Sequence, residues 1–247
     1  MTLPLFLTDP GDLAAARAGS AYVLGGAEGR HAATVKRLRA GEQLMVGDGA
    51  GRQITGSVIE AAGNEVTMSV EQVTDEPPPV PSITLVQALA KGERDEAAIE
   101  AATEYGVDRI VPWQAERSIV QWRGERAEKS RSKWVDVVTA AAKQSRRAFV
   151  PPVEQLVDTS QLPRRIGQAT VAFILHEEAV LPLAAQPIPG AGEIIIIVGP
   201  EGGISPGELA TLSSAGGIPV RLGSTVLRSS SAGPAAIAVL SADERWR

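Results

Sequence analysis

The chain has 247 residues, of which 44% are hydrophobic and 21% charged, a balance typical of a globular protein with one or two domains. It contains no cysteine, which excludes disulfides, thiolate zinc sites, iron–sulfur clusters and a cysteine nucleophile. The two histidines, His31 and His176, leave little room for a histidine-rich metal site, so we expect no metal. No apolar run approaches about 18 residues and the N-terminus lacks a signal sequence, so we expect a cytoplasmic protein with no membrane association.

The net charge of −5 hides a local excess of positive charge. Residues 117–147 contain nine Lys and Arg against three Asp and Glu. Nucleic-acid binding requires a local set of cations that neutralises phosphates, not a basic protein overall. This segment is therefore a candidate RNA-binding surface, and the alternative is a solvated helix face.

A proline-rich segment divides the chain. Residues 75–81 contain four prolines within five positions, which favours a stiff extended linker over a helix or a central strand. We expect one domain over residues 1–74 and a second over residues 82–247, joined by residues 75–81.

Short apolar segments broken by glycine predict a β-rich first domain. The segment Glu65–Val70 alternates polar and apolar residues, and the glycine-rich Gly47–Gly51 is typical of a hairpin connection. The predicted strands are Ala21–Leu24, Gln43–Val46, Gln53–Ile59 and Glu65–Val70. Because these strands are short and numerous, we expect a barrel-like fold.

The second domain alternates predicted strands and helices, which indicates a mainly parallel α/β sheet. The predicted strands cover residues 83–89, 109–111, 118–120, 170–175, 193–198 and 219–222. The predicted helices cover residues 93–105 and 127–147, a segment from Ser205, and residues 232–240. The helix over 93–105 has a buried face of Ala98, Ala101, Ala102 and Tyr105. The helix over 127–147 has a buried stripe of Trp134, Val137, Val138, Ala141 and Ala142.

A glycine-rich turn, Gly199–Gly203, follows a strand of β-branched residues and precedes a predicted helix. Ser205 and Glu208 form a capping-box pattern at the start of that helix. Ligands of open α/β sheets bind at such strand ends. The turn lacks the Lys-Ser/Thr pair of a P-loop, and Glu201 would repel a pyrophosphate, so a neutral or cationic ligand fits better. The alternative is a tight turn with no ligand.

The segment Arg221–Ala232 contains an arginine at an unfavourable place. Arg228 lies at the start of the last predicted helix, the end where a cation is least stable. This suggests a role in pairing with phosphate or in orienting a base, and the alternative is an arginine satisfied by solvent. The serines Ser229–Ser231 can cap the helix.

Taken together, six segments in register resemble the RsmE-type 16S rRNA (uracil-N3)-methyltransferases of the SPOUT class. Those segments are Lys91–Arg94, Ala102–Val107, Glu116–Ser118, Ala142–Ser145, Gly199–Gly203 and Arg221–Arg228. Near the N-terminus, His31 and Val35–Glu42 match a further motif of the family. The resemblance therefore covers nearly the whole chain.

The resemblance implies a fold and an activity. The first domain would be a PUA-like β-barrel that binds RNA, and the second an α/β SPOUT domain with a deep trefoil knot that binds S-adenosyl-L-methionine (SAM). The protein would be a homodimer that methylates N3 of a uridine in the decoding region of 16S rRNA, on the assembled 30S ribosomal subunit.

The resemblance also assigns site residues. The cofactor-binding residues would be Leu175, His176, Glu177, Gly199, Pro200, Glu201, Gly202, Gly203, Leu222, Gly223, Val226 and Leu227. Our candidates for RNA contacts are Arg30, His31, Arg37, Arg39, Arg117, Arg123, Lys129, Lys133, Arg146 and Arg147. Arg228 and Ser230 are the candidate catalytic residues.

One departure from the family keeps other functions open. Ser230 stands where the family often has a glutamate, and a serine cannot act as a carboxylate base. A knotted RNA-binding protein that assists ribosome assembly without transferring methyl groups is therefore an alternative. A methyltransferase of another RNA, such as tRNA, and a hydrolase using Ser229–Ser231 are further alternatives, although the hydrolase lacks a histidine nearby in the sequence.

Overall fold

A computed structural model of the protein describes residues 3–246, except for the side chains of residues 243 and 244. The chain forms two compact units. The first comprises residues up to 78 together with 142–150, and the second comprises residues 79–141 and those from 151 onward. The division at 78 and 79 falls inside the proline-rich segment. The short segment 142–150 groups with the first unit, although it follows the second unit's residues in the sequence.

The first unit is built on a five-stranded mixed sheet. Its strands are β1 (Leu5–Leu7), β2 (Ala21–Leu24), β3 (Gln43–Gly47), β4 (Arg52–Ala62) and β5 (Glu65–Asp75). The order is β1-β3-β4-β5-β2, with β1 parallel to β3 and the other pairs antiparallel. The four predicted strands and the hairpin are confirmed. The sheet is a half-barrel, not a closed barrel, since within residues 3–246 the edge strands β1 and β2 do not pair.

Alternate residues of these strands form the core of the first unit. Leu44, Val46, Ile54 and Met68 are fully buried, as the alternating pattern requires. A short helix, α1 (Gly26–Arg30), continues into a wide helical turn over His31–Val35. Gly29 allows this helix to approach the sheet, because a Cβ there would lie 2.3 Å from the Leu24 carbonyl oxygen.

The second unit contains a six-stranded sheet whose strands are all parallel. Its strands are β6 (Ser82–Ala88), β7 (Arg109–Gln114), β8 (Val157–Asp158), β9 (Val171–Leu175), β10 (Glu193–Val198) and β11 (Ile218–Val220). The order is β11-β9-β10-β6-β7-β8. The predicted parallel sheet is confirmed, and its carboxyl ends share one edge.

Five helices complete the second unit. They are α2 (Arg94–Glu104), α3 (Glu125–Gln144, whose last turn enters the first unit), α4 (Leu162–Gln168), α5 (Pro206–Ser214) and α6 (Ser229–Glu244). Two single 3-10 turns cover Thr159–Gln161 and Leu183–Ala185. Leu162, Ile166 and Leu212 of α4 and α5 pack against one sheet face. Gly233 of α6 approaches Leu85 and Val198 on the other face. The sheet is therefore covered on both sides.

Three sequence predictions in the second unit are wrong. Residues 118–120 are not a strand, because the Ser118 N–H donates to the Ala115 carbonyl and turns the chain. The helix predicted over 127–147 is α3, which ends at Gln144, and Arg146 has a left-handed φ of 56°. Tyr105 is 41% exposed, since its ring packs edge-on against Trp246 instead of entering the core. The apolar stripe of α3, by contrast, is buried or half-buried as predicted.

No helix within residues 3–246 combines the length and the apolar character needed to cross a bilayer.

Candidate active site

The candidate segments of the second unit meet at the carboxyl edge of its sheet. Residues 89–93 follow β6, residues 115–118 follow β7, and residues 176–177 follow β9. The turn Gly199–Gly203 follows β10, and residues 221–228 follow β11. Because all six strands are parallel, segments far apart in sequence come to one edge, where open α/β sheets bind their ligands.

The turn Gly199–Gly203 is tight and depends on its glycines. The Gly203 N–H donates to the Pro200 carbonyl at 2.9 Å, and Gly203 has a φ of 72°. A Cβ on Gly202 would lie 3.2 Å from the Arg117 Cβ, so the turn and the segment after β7 pack closely. At the start of α5, the Ser205 side chain accepts from the Glu208 N–H and the Glu208 side chain accepts from the Ser205 N–H, which confirms the predicted capping box.

Glu201 connects this turn to the segment after β6. Its Oε1 accepts a hydrogen bond from the Lys91 N–H at 3.0 Å and another from the Arg94 Nη1 at 3.1 Å. Partial burial acts to raise the pKa of the Glu201 carboxyl, but the hydrogen bonds from its own and the Lys91 N–H groups and from Arg94 outweigh burial and lower it. The carboxylate is thus compensated by Arg94. The sequence prediction that a neutral or cationic ligand fits this turn remains a prediction, because the charge of Glu201 is shared with Arg94 and does not decide it alone.

The loop before α2 has an unusual backbone held by a buried acid. Gly92 and Glu93 both adopt left-handed conformations, with φ of 69° and 62°. Asp95 is 6% exposed and accepts hydrogen bonds from the Ala90 N–H at 3.3 Å and the Glu96 N–H at 2.9 Å. Burial raises the pKa of the Asp95 carboxyl. The sequence analysis assigned Asp95 no role.

The segment after β7 is fixed to the start of α5. The Glu116 N–H donates to Glu208 Oε1 at 2.8 Å, and the Ser205 hydroxyl donates to the Glu116 carboxylate. The Arg117 Nη1 donates to the Gly202 carbonyl at 3.0 Å. Glu116–Ser118 therefore lies against the turn, which explains why the two motifs occur together.

The segments after β9 and β11 pair with each other through their backbones. The His176 N–H donates to the Val220 carbonyl at 3.0 Å, and the Arg221 N–H donates to the Leu181 carbonyl at 2.9 Å. The His176 Nδ1 accepts from the Glu178 N–H at 3.3 Å. The structure thus brings together two of the predicted cofactor segments, Leu175–Glu177 and Leu222–Leu227.

Arg228 lies at the N-cap of α6, not inside it. Its backbone is extended, and its carbonyl accepts from the N–H groups of Ser231 and Ala232. Its side chain is exposed and makes no ion pair with any residue that the structure describes. The prediction that a serine caps this helix is wrong, since the chain enters α6 one residue earlier. The Ser229 hydroxyl is buried without a hydrogen-bond partner among the described residues, and Ser230 is half-buried.

The RNA-binding candidates of the first unit differ in how exposed their side chains are and in whether those side chains contact the fold. Arg30, Arg37 and Arg39 are exposed on and after α1. The His31 ring packs edge-on against Phe6, with centroids 5.8 Å apart. Arg146 is half-buried and its Nε donates to the Leu3 carbonyl at 2.7 Å, while Arg147 is half-buried. The three arginines near α1 are therefore the better placed for a ligand.

The candidates of the second unit lie along α3 and just before it. Arg123 and Lys129 are exposed. Lys133 is 57% exposed and its Nζ lies 2.6 Å from a Glu96 oxygen, a hydrogen bond that raises the pKa of Lys133. Lys133 is thus partly neutralised. Among the residues that the structure describes, no cluster of three His, Asp or Glu could hold a metal ion.

Comparisons with known proteins extend over both units. The family model "RNA methyltransferase domain" matches residues 76–241, and "RNA methyltransferase PUA domain" matches residues 24–71. Ribosomal RNA small subunit methyltransferase E of Mycobacterium bovis is 45% identical over 234 residues, covering 92% of this chain and 89% of the relative. The Bacillus subtilis protein of that name is 27% identical over 228 residues, covering 89% of each chain.

A solved structure agrees with these sequence matches. Ribosomal RNA small subunit methyltransferase E from Neisseria gonorrhoeae, bound to S-adenosyl methionine, has a TM-score of 0.84 and 28% identity, with 98% of each chain covered. The predicted combination of a PUA domain and a methyltransferase domain is confirmed. The chain therefore belongs to the ribosomal RNA small subunit methyltransferase E family, as the motif resemblance predicts.

Proposed function

We propose that this protein transfers a methyl group from SAM to N3 of a uridine in the decoding region of 16S rRNA, on the 30S subunit in the cytoplasm. Membership of an rRNA methyltransferase family supports the reaction class, and a SAM-bound neighbour supports the methyl donor. The observation that carries the proposal is the convergence of the segments after β6, β7, β9, β10 and β11 at one sheet edge.

The residues at this edge fit SAM. Val226 and Leu227 are 73% and 40% exposed, so an adenine ring can cover apolar surface there. The close-packed glycines of the turn let a ligand approach the backbone. Leu175–Glu177, Gly199–Gly203, Leu222, Gly223, Val226 and Leu227 would hold the cofactor. When bound, SAM supplies a sulfonium methyl group that is open to nucleophilic attack.

The proposal includes the knot and the dimer. The family resemblance is the support for a trefoil knot of the second unit, and the segments after β9 and β11, which pair through their backbones, would belong to it. Val180 and Leu181 are 81% and 47% exposed, and a second copy of the chain would cover this apolar surface in a homodimer.

The chain's own residues supply positioning and charge stabilisation. Uracil N3 is a weakly acidic imide, and negative charge develops on the base as its N3 proton passes to water. As the bond between N3 and the methyl carbon forms, the bond between that carbon and sulfur would break and S-adenosylhomocysteine would leave. The Arg228 guanidinium, exposed and unpaired among the described residues, stabilises that charge at a carbonyl oxygen of the base. The Ser230 hydroxyl orients the imide by a hydrogen bond. Alignment of the nucleophile with the methyl group contributes about 7–11 kcal/mol at best.

The cations supply RNA affinity. Arg30, Arg37 and Arg39 in the first unit and Arg117, Arg123 and Lys129 in the second are exposed, and Lys133, Arg146 and Arg147 contribute less because they are paired or half-buried. Phosphate contacts of this kind give affinity with little sequence preference.

Calorimetric titration of the purified protein with SAM and with S-adenosylhomocysteine tests the proposed donor. We expect saturable binding of both, because S-adenosylhomocysteine, the product formed from SAM, keeps its adenosyl group. No binding to the free protein, and none after addition of 30S subunits, would contradict methyl transfer. That result would support the assembly-factor alternative suggested by Ser230.

A further inference from the structure

Three cations adjoin the turn Gly199–Gly203, and we call Lys91, Arg94 and Arg117 the turn rim. Among the described residues, Arg94 pairs with Glu201, whereas Lys91 and Arg117 form no ion pair. Glu93 and Glu116 lie in the same segments, but Glu93 interacts electrostatically with Lys133 of α3 and Glu116 accepts a hydrogen bond from the Ser205 hydroxyl. Two cations of the rim are therefore available to an anionic ligand.

Hydrogen bonds to the turn hold the two guanidinium groups in place. The Arg94 Nη1 lies 3.1 Å from Glu201 Oε1, and the Arg94 side chain is 49% exposed. The Arg117 Nη1 lies 3.0 Å from the Gly202 carbonyl oxygen. These anchors are consecutive turn residues whose α-carbons lie about 3.8 Å apart. A guanidinium has five N–H donors, so each arginine keeps donors for a second partner.

We propose that Arg94 and Arg117, assisted by Lys91, bind a backbone phosphate of the RNA next to the nucleotide that is methylated. This inference rests on the proposed function. A guanidinium donates two parallel hydrogen bonds to a phosphate, and anchored side chains lose less conformational entropy on binding. The turn thus positions the RNA strand as well as the cofactor.

The other anion that could occupy the rim is the carboxylate of SAM. Several exposed cations along a rim suit the phosphates of a polyanion better than a single carboxylate. Removal of the cations distinguishes the two ligands, because it lowers the affinity for RNA in one case and the affinity for SAM in the other.

The test uses the full-length protein with Arg94→Gln, Arg117→Gln and both changes. Affinity for 30S subunits lacking the modification is measured over a range of KCl concentrations, and affinity for SAM by calorimetry. We expect the double variant to bind subunits at least about tenfold more weakly at low salt. The slope of log affinity against log salt should fall by about 0.7–0.9 for each phosphate that is no longer neutralised. SAM affinity should fall by a smaller factor than subunit affinity, because the two side chains also hydrogen-bond to the cofactor turn.

Arg109→Gln is the matched control. Arg109 is 47% exposed and paired with Glu154, as Arg94 is paired with Glu201, but it begins β7 at the opposite edge of the sheet. It should leave both affinities unchanged. Arg94→Lys and Arg117→Lys, which keep the charge and the ability to fold, should weaken subunit binding less than the glutamine variants.

Two results would overturn the inference. An unchanged salt slope in the double variant would show that the rim does not contact phosphate. A loss of SAM affinity with unchanged subunit affinity would assign the rim to the cofactor. A wild-type protein that binds subunits but not SAM would instead contradict the proposed function, and the salt slope would still test the rim.

Discussion

At the scale of single residues, the exposed guanidinium of Arg228 is the group that we propose acts on the base. It lies at the N-cap of α6, where the helix dipole disfavours a cation, and no described carboxylate neutralises it. A charge held in an unfavourable place without a structural partner is typical of a functional group.

We expect Arg228→Ala to lower kcat by about 10²–10³-fold, the loss that follows removal of one donor to a developing oxyanion. SAM affinity should stay within about twofold. Single-turnover methyl transfer and calorimetry measure the two effects. Arg164→Ala, which removes an exposed arginine of α4, is the control. Unchanged turnover in Arg228→Ala would remove this residue from the mechanism.

Substitution of Ser230 distinguishes a catalytic role of this residue from a role in capping α6. Because Arg228 occupies the N-cap and no serine side chain caps α6, Ser230→Ala should leave the thermal unfolding midpoint within about 1 °C, since the usual cost of removing a cap, about 1 kcal/mol, does not apply. It should lower kcat by about tenfold. A large fall in the midpoint with unaltered kcat would show a structural role instead.

Ionisation of the buried Asp95 carboxyl should make the stability of the protein depend on pH. Burial raises the pKa of the folded-state carboxyl above its ordinary value of 3.8, so the folded state binds this proton more tightly than the unfolded state. Its ionisation therefore destabilises the protein as pH rises through the folded-state pKa. We expect Asp95→Asn to unfold at a higher urea concentration than wild type at pH 7. The difference should shrink as pH falls towards 3.8. A constant difference across that range would show that ionisation is not the cause.

Glu201 shows why the charge balance around a residue cannot be predicted from the sequence. As an isolated acid in a glycine-rich turn it indicates a neutral or cationic ligand, but its partners Lys91 and Arg94 lie more than 100 positions away in the chain. The parallel sheet brings them together. Sequence patterns identify the segment, whereas the charge balance of a site depends on which segments meet.

At the scale of elements, the predictable ones are those with a long or regular apolar pattern. β10, α3 and α5 were predictable from five β-branched residues, a 3.6-residue stripe and a capping box, respectively. β1, β8, α1 and α4 have two to seven residues, too few for a period to appear in the sequence. The false strand at 118–120 has β-branched residues but lies in a turn whose conformation depends on contacts with α5.

The turn between β10 and α5 can be tested as an element. Gly202→Val should reduce SAM affinity at least about tenfold, because its Cβ would lie 3.2 Å from the Arg117 Cβ and displace the turn. Gly207→Val, on the first turn of α5 with no atom within 4 Å of its Cβ, is the matched control and should bind SAM normally. Calorimetry measures both variants. Equal affinities would show that this turn does not shape the cofactor site.

At the scale of the whole molecule, we propose that the two units contribute different parts of one function. The second unit contains the segments proposed for SAM and for the base, and the first unit contains exposed cations near α1. The two-domain organisation was predictable from the proline-rich segment 75–81, and the family was predictable because six motifs occur in register. The open edge of the first sheet was not predictable from the sequence, because no local sequence pattern shows whether β1 and β2 pair with each other.

The first unit should add RNA affinity without affecting the cofactor. We expect the combined change of Arg30, Arg37 and Arg39 to Gln to weaken binding to 30S subunits and to lower the salt slope by about 0.7–0.9 for each phosphate that these arginines neutralise. SAM affinity should not change. Arg17 and Arg52 are unsuitable as control positions, because their side chains donate hydrogen bonds to backbone carbonyls of the first unit.

Lys36→Gln, at an exposed position beside Arg37, measures how far subunit affinity depends on one further positive charge. A salt slope of the combined variant equal to that of wild type would remove Arg30, Arg37 and Arg39 from the RNA surface.

The most direct test of the central claim is methyl transfer itself. Purified protein is incubated with isotopically labelled SAM and 30S subunits that lack the modification, and the labelled nucleotide is located by mass spectrometry of digested 16S rRNA. We predict one N3-methyluridine in the decoding region, and none with Arg228→Ala at early times. Absence of label from 16S rRNA, or label on another base or another RNA, would contradict the proposed function.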